Sequence, residues 1–325
     1  MSEPSVSSEK PPAIRRAWSR LRRRVYQVAT HPILAKETRA RMRGWRAPAV
    51  LTVHLALLSC FATLIYAIAR EAASAGSGDA GRAVGQTLYY SIYLMLLALV
   101  VFLSPAFTAG AISGEREKRT LDILLTTLLP VRSLVLGKLA SALAYVALLV
   151  LAALPVQSLA FVFGGVALYE VLIGTLLLAV TALVAGSVGL AISSFTRSTV
   201  TSTALTYATI MLSTLGLPLL VVIVLSFLSV LFDELLGRLD WIQQAIAIYA
   251  GGALLCTNPF ATAVATQLAR QEQGSLFLLT VQVADEGGVS HTLPLLSPWI
   301  VYTILAIVAS ALLIRASVWA IEHKT

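Results

Sequence analysis

Long stretches without a charged residue limit most strongly what this chain can fold into. Residues 199–232 contain no Asp, Glu, Lys or Arg, and several other stretches reach the roughly 20 apolar residues that a helix needs to cross a bilayer. Of all residues, 58% are hydrophobic and 12% are charged, whereas soluble proteins average about half and about a quarter. Because a helix pairs its own backbone polar groups in lipid, the sequence predicts an all-α membrane protein.

One transmembrane domain is predicted over residues 47–325, and it contains six transmembrane helices. Ser104-Pro105 is expected to kink the second helix, since proline interrupts the helical hydrogen bonds. The predicted spans are residues 47–69, 87–112, 139–163, 171–192, 199–220 and 299–321.

The region before the sixth span is also apolar but is interrupted. Gly251-Gly252 and Asn258-Pro259 divide residues 241–269, so this region is predicted to be a re-entrant segment on the outer side. A full span is the alternative, but it would place one end of the protein on the unfavoured side of the membrane. Residues 270–297 are predicted to be a polar external segment.

The charges are distributed unevenly, and this asymmetry predicts the orientation. Residues 1–47 hold twelve Lys and Arg against three acidic residues. Residues 1–12 are rich in Pro and Ser and are predicted to be disordered, whereas residues 13–46 are predicted to form basic cytoplasmic helices, the first amphipathic and interfacial. A basic arm can bind nucleic acid, but the adjacent span favours anionic lipid, so no nucleic-acid partner is expected. The proposed inner segments carry 20 Lys and Arg and the outer ones four, which predicts cytoplasmic termini.

Residues 113–128 form a charged stretch between the second and third apolar runs. Glu115 and Arg119 have the i, i+4 spacing of a helical ion pair, and Glu117 extends an apolar stripe with a carboxylate. This pattern predicts an amphipathic helix that docks onto another protein. The stripe has the i, i+3, i+4, i+7 spacing of one helix face, and its members are Leu121, Leu124, Leu125 and Leu128.

These residues carry a family resemblance. The sequence GEREKRTLDILLTT at 114–127, followed by LVLGK at 134–138, closely resembles the segment between the second and third spans of ABC-2 type transporter permeases. PILAKETRAR at 32–41 and GLAISSFTR at 189–197 agree with the same family. One departure is Leu128, which stands where many relatives have proline.

The resemblance implies a permease subunit of an ATP-driven ABC transporter, expected to export by alternating access in the cytoplasmic (inner) membrane of a prokaryote. A cytoplasmic coupling helix between helices 2 and 3 would dock into a separate ATPase subunit, with two ATPases and a second permease copy, identical or a paralogue, completing the transporter. ATP and Mg²⁺ are expected on the ATPase and no cofactor on this chain. The residues expected to couple to the ATPase are Glu115, Arg116, Glu117, Arg119, Thr120, Leu121, Leu124 and Leu125.

No enzymatic site is predicted in this chain. A phosphate-binding loop would need glycine five positions before Gly137-Lys138, where Arg132 stands. His54 is the one histidine within a predicted span and is interpreted as a hydrogen-bonded packing residue, so no catalytic or metal-ligating residues are assigned. An ion-coupled secondary transporter remains an alternative, although it usually has ionisable residues near the midplane. An intramembrane enzyme is a further alternative that lacks acid–base residues.

The fifth span is the candidate for the transport pathway. Small hydroxyl residues permit close helix approach and interhelical hydrogen bonds, and this span is rich in them. We therefore expect its polar face to line the pathway or the permease dimer interface, with ordinary packing as the alternative. The residues chosen are Thr199, Thr203, Thr206, Tyr207 and Ser213.

Overall fold

The computed structural model of the chain describes residues 45–74, 80–126, 130–220, 223, 241–275, 277–284 and 290–324. The predicted disordered tail and nearly all of the basic interfacial region lie outside these residues. Ten α-helices and two strands are described in this part of the chain. They are α1 (Arg46–Ser74), α2 (Ala80–Ala106), α3 (Ser113–Glu117), α4 (Leu121–Leu125), α5 (Val131–Phe163), α6 (Leu168–Phe195), α7 (Thr199–Met211), α8 (Trp241–Leu255), α9 (Pro259–Gln273), β1 (Leu278–Ala284), β2 (Ser290–Leu296) and α10 (Pro298–Lys324).

Six helices among the described residues are long and apolar enough to cross a membrane, which confirms the predicted number of membrane-length helices. The fifth consists of α7 and a π-helical turn, Leu212–Gly216, and continues to Leu220. The six segments are Pro48–Ala72, Gly81–Ala106, Val131–Phe163, Leu168–Phe195, Thr199–Leu220 and Pro298–His323.

The ends of two spans differ from the prediction. The second was expected to run to residue 112 with a kink at Pro105, but regular α-helix ends at Ala106, because proline has no N–H for the helical ladder. Residues 107–112 continue as turns, the first closed by the Thr108 and Ala109 N–H groups donating to the Pro105 carbonyl at 3.0 and 2.8 Å. The third span begins eight residues early, directly after Pro130, so Lys138 lies inside α5 and not in a loop.

The core lies around α2, which is covered by α1, α5, α6 and α9. Leu96 and Leu97 are fully enclosed there, packed with Leu58 of α1 and Leu178 of α6. Gly189 of α6 permits a close approach to the end of α2, since a Cβ there would overlap the hydroxyl of Thr108, two residues beyond α2. The outward faces of the long helices expose many Leu, Ile and Val side chains, as a lipid-facing surface does.

The sixth span is held to the fourth by packing and by one polar contact. Tyr302 of α10 is buried beside Leu177 and Val180 of α6, and its hydroxyl lies 2.8 Å from that of Thr181. This pairing satisfies two hydroxyls that would otherwise be buried in an apolar contact.

Residues 241–296 form two short helices and a hairpin. α8 and α9 have 15 residues each, fewer than a span needs. β1 and β2 pair antiparallel, with Leu278 opposite Leu296 and Ala284 opposite Ser290. The hairpin was not predicted, so the all-α class is wrong in this one element, although the chain is mostly helical.

Asn258 joins α9 to the π-helical turn of the fifth span. It is 2% exposed, and its Oδ1 accepts hydrogen bonds from the Phe260 and Ala261 N–H groups at 2.8 and 3.0 Å, capping α9. Its Nδ2 donates to the Ser213 carbonyl at 3.3 Å and to the Thr214 carbonyl at 2.7 Å. One amide therefore satisfies backbone groups of two helices.

Candidate functional site

The charged stretch between the second and third spans folds as two short helices, not as the single helix that was predicted. α3 ends at Glu117 and α4 begins at Leu121, and between them Arg119 adopts a left-handed backbone conformation with φ of 54°. We call residues 113–126 the coupling segment. The break prevents an i, i+4 pairing of Glu115 with Arg119 along one helix.

Glu115 bridges the break between α3 and α4 and connects it to α5. Its carboxylate accepts a hydrogen bond from the Thr120 hydroxyl and forms an ion pair with Lys138, with 3.0 Å between Oε1 and Nζ. The Thr120 N–H donates to the Glu115 carbonyl at 2.9 Å. Lys138 is only 5% exposed, and a buried ammonium needs such a partner. A lysine about two turns inside an apolar helix was the available sequence signal for this pair.

The apolar stripe of the coupling segment packs against the protein's own helices. Leu121 is 2% exposed and lies in a cluster with Leu134, Leu190 and Ile321. Leu124 and Leu125 pack partly against the same cluster, and Leu128 lies outside the described residues. The exposed residues of the segment are Glu117, Lys118, Arg119, Asp122, Ile123 and Thr126, and Ile123 is 66% exposed.

Arg116 and Glu117 contact the two helix ends at the α6–α7 corner. The Arg116 guanidinium donates to the Ser194 and Thr196 carbonyls at 3.3 and 2.9 Å, at the end of α6. The Glu117 carboxylate accepts from the N–H of Thr199 at 3.1 Å and from its hydroxyl at 2.8 Å, at the start of α7. A positive charge at a helix C-terminus and a negative charge at a helix N-terminus both interact favourably with the helix dipole.

Serine hydroxyls complete this joint. The Ser193 hydroxyl accepts from the N–H groups of Ile112 and Ser113, each at 3.0 Å, and the Ser202 hydroxyl donates to the Ala109 carbonyl. Both serines are fully buried. The chain leaving α2 is thus hydrogen-bonded to α6 and to α7. The sequence analysis missed these serines, since an isolated serine has no distinguishing pattern.

Both glutamates of the joint are held in the charged form. Burial alone would raise the pKa of Glu115, but hydrogen bonds from Thr120 and Lys138 and the Lys138 charge bring it below its usual value. The hydrogen bonds from Thr199 lower the pKa of Glu117. At neutral pH the Glu117 carboxylate is therefore a permanent anion at the start of α7.

The five residues chosen in the fifth span lie along α7 and its π-helical turn, and their hydroxyls are mostly bonded locally. Thr203 and Thr206 donate to carbonyls four residues earlier at 2.8 and 2.7 Å, and Ser213 donates to the Ile210 carbonyl at 3.0 Å. Tyr207 donates to the Phe102 carbonyl of α2 at 3.0 Å. Thr199 also has a partner outside its own helix, because its hydroxyl donates to Glu117.

His54 lies where a packing residue is expected. It is buried in α1, and its Nε2 is 3.2 Å from the Leu149 carbonyl of α5. This contact joins two spans.

Comparison with models of protein families identifies a family. The family model described as ABC-2 family transporter protein matches residues 31–308, which include the coupling segment and the α6–α7 corner. No curated protein matches the chain.

Proposed function

The chain belongs to the ABC-2 family of transporter proteins, and from this premise we propose that it is the membrane subunit of an exporter driven by a separate ATPase. Membership makes it a multi-pass membrane protein and a permease of an ABC transporter. It also favours this function over an ion-coupled carrier or an intramembrane enzyme. In this function the coupling segment transmits the movement of the ATPase to the membrane helices, and substrate moves out of the cell.

The observation that carries the proposal is the joint between the coupling segment and the α6–α7 corner. Arg116 binds one helix end and Glu117 the other, and Glu115 fixes the segment to α5 through Lys138. A force on the segment would therefore reach the third, fourth and fifth spans together. Tilting of these spans between inward-open and outward-open states would move substrate.

The exposed face of the segment is the proposed docking surface for the ATPase. Leucines of the predicted stripe are occupied by the protein's own core, so the contact would use Lys118, Arg119, Asp122 and Ile123. An exposed isoleucine among charged residues fits an interface with an apolar centre and a polar rim. Arg116 and Thr120, which are partly buried, and Glu117, whose exposed carboxylate is bound to Thr199, would act as transmitting residues.

The remaining parts of the assembly follow from the family. Two ATPase subunits, which bind ATP and Mg²⁺, and a second permease copy, identical or paralogous, would complete the transporter. The basic residues before α1 would lie on anionic lipid with both termini in the cytoplasm, in the inner membrane of a prokaryote. Residues 241–273 would re-enter the membrane from outside, and the fifth span would line the pathway or the dimer interface.

A charge reversal tests the docking surface. We expect Lys118→Glu, and separately Ile123→Glu, to lower recovery of the ATPase with the full-length permease at least tenfold. The protein would be purified from its native membranes, and the ATPase identified by mass spectrometry from its phosphate-binding loop. Arg132→Glu is the matched control, because Arg132 is also exposed at this end of the bundle but lies outside the proposed surface. Undiminished recovery with both test variants would contradict the assignment.

A further inference from the structure

A half-buried polar pocket lies at the end of the bundle opposite the coupling segment, between α2, α6 and α9. Glu170 and Arg270 form an ion pair in its wall, with 2.7 Å between Oε1 and Nη1. Tyr90 bridges the pair, donating to Glu170 Oε2 at 2.8 Å and accepting from Arg270 Nη2 at 2.7 Å. Both charges are thus neutralised within the protein.

Three polar atoms of the wall have no hydrogen-bond partner among the described residues. They are the hydroxyl oxygens of Tyr93 and Thr266 and the Nε2 of Gln267, and all three atoms are buried. Tyr93 is only 5% exposed. Buried polar groups are almost always paired, so this concentration in one pocket indicates a missing ligand.

The orientation of Gln267 is fixed by Arg270. The Nε and Nη2 of Arg270 donate to Gln267 Oε1 at 3.3 and 3.1 Å, which settles which end of the amide is oxygen. Nε2 must therefore donate to something that accepts. The Thr266 hydroxyl also differs from those of Thr203, Thr206 and Thr303, each of which bonds the carbonyl four residues earlier.

These groups restrict the chemistry of the ligand. A cation cannot accept a hydrogen bond from Gln267. An anion would be repelled by the Glu170 carboxylate, because the Arg270 guanidinium is already paired with that carboxylate. A ligand with two hydroxyl oxygens can accept from the Gln267 amide and exchange hydrogen bonds with the Tyr93 and Thr266 hydroxyls. The space is about 50 Å³, or room for about four water-sized atoms at roughly 10–15 Å³ each, and Ile173 and Leu177 supply an apolar wall.

We propose that this pocket binds a neutral vicinal diol, two hydroxyls on adjacent carbons, with Tyr93, Thr266 and Gln267 as its hydrogen-bonding partners. The carbons would lie against Ile173 and Leu177, and the rest of the molecule would extend through the open side. The same chemistry occurs at the glycerol end of phosphatidylglycerol and in free glycerol. The site is separate from the coupling segment and does not depend on the proposed function.

Isosteric variants test the site in the full-length protein. Thr266→Val and Tyr93→Phe each remove only a hydroxyl that binds nothing in the protein. In nanodiscs of phosphatidylcholine alone, we expect both variants to unfold at a temperature no lower than the unsubstituted protein, because an unpaired buried hydroxyl is destabilising. Adding a diol should raise the melting temperature of the unsubstituted protein by about 3 °C, and that of the variants by less than half as much.

Separate arms identify the source of the diol. If the melting temperature rises with phosphatidylglycerol but not with phosphatidylserine, which has the same net charge, the diol belongs to a lipid headgroup. A rise with free glycerol but not with 1-propanol assigns a free polyol. Thr303→Val is the control, since its hydroxyl bonds the Trp299 carbonyl away from the pocket, and it should respond as the unsubstituted protein does. Native mass spectrometry counts bound phosphatidylglycerol independently of stability.

Two outcomes overturn the proposal. One is an equal rise in the unsubstituted protein and in both pocket variants, since that is a general solvent effect. The other is no rise with either diol, which would leave water as the only occupant.

Discussion

At the scale of single residues, Glu117 is the position whose role changes most once its contacts are known. Its sequence context places it among the residues expected to couple to the ATPase, which predicts that Glu117→Lys weakens ATPase association in a protein that still folds. In the structure its carboxylate binds the first residue of α7. Its proposed role is therefore to transmit movement to the fifth span.

The two roles give different results for Glu117→Ala. We expect ATPase recovery within about twofold of the unsubstituted protein, but at least tenfold less substrate movement per ATP hydrolysed, because α7 loses its anionic cap. Glu117→Gln keeps an acceptor for Thr199 and should retain more transport. Co-purification and coupled transport assays in proteoliposomes measure both quantities. If Glu117→Ala lost the ATPase while Lys118→Glu kept it, Glu117 would belong to the docking surface after all.

At the scale of elements, the coupling segment and α7 are close enough to be joined covalently. A Cβ on Gly114 would lie 3.4 Å from Thr199 Cγ2, which is one bond away from the Thr199 Cβ, so the two Cβ atoms are within about 5 Å of each other, and a disulfide joins Cβ atoms about 3.5–4.5 Å apart. In a chain whose Cys60 and Cys256 have been replaced, Gly114→Cys with Thr199→Cys should therefore cross-link on oxidation. If the segment and α7 move as one body, transport should differ less than about twofold between the oxidised and reduced double variant.

Each single cysteine variant serves as the control for this cross-link. Loss of transport on oxidation of the double variant alone would show that the segment slides against α7 during the cycle. That result would contradict rigid transmission through Glu117 while leaving the docking surface intact.

The sequence predicted the long helices well because their signal is local: twenty consecutive apolar residues leave few alternatives in lipid. The coupling segment shows where local signals fail. The leucine spacing is helical, but Arg119 is held in a left-handed turn by Glu115, Thr120 and Lys138, and Lys138 is 23 residues away from Glu115. Such a contact cannot be read from periodicity. The β1–β2 hairpin was not predicted, because each strand has only seven residues that mix apolar with polar side chains, which is too short a pattern to distinguish from a polar loop.

At the scale of the whole molecule, three spans lie between the coupling segment and the hairpin, and this odd number should place the two on opposite sides of the membrane. Ile123 and Gln282 are both exposed. In a cysteine-free background with intact membrane vesicles, a membrane-impermeant maleimide should label Ile123→Cys in one vesicle orientation and Gln282→Cys only in the opposite orientation. Detergent-opened vesicles provide the control, since both cysteines should then react. Labelling of both from one side would contradict six spans in this arrangement.

The π-helical turn at Leu212–Gly216 changes the number of residues in the fifth span as well as its hydrogen bonds. A π turn contains one residue more than the α-helical turn it replaces, so the helix continues beyond it in nearly the same orientation. Deleting one residue between Leu212 and Gly216 would therefore restore an uninterrupted α-helix without turning the residues from Leu217 onward to a new face. The Ser213 and Thr214 carbonyls would return to the helical ladder, and Asn258 would lose both of its acceptors. A single extra amino acid in the fifth span thus frees the two carbonyls to which the N-cap of α9 is hydrogen-bonded.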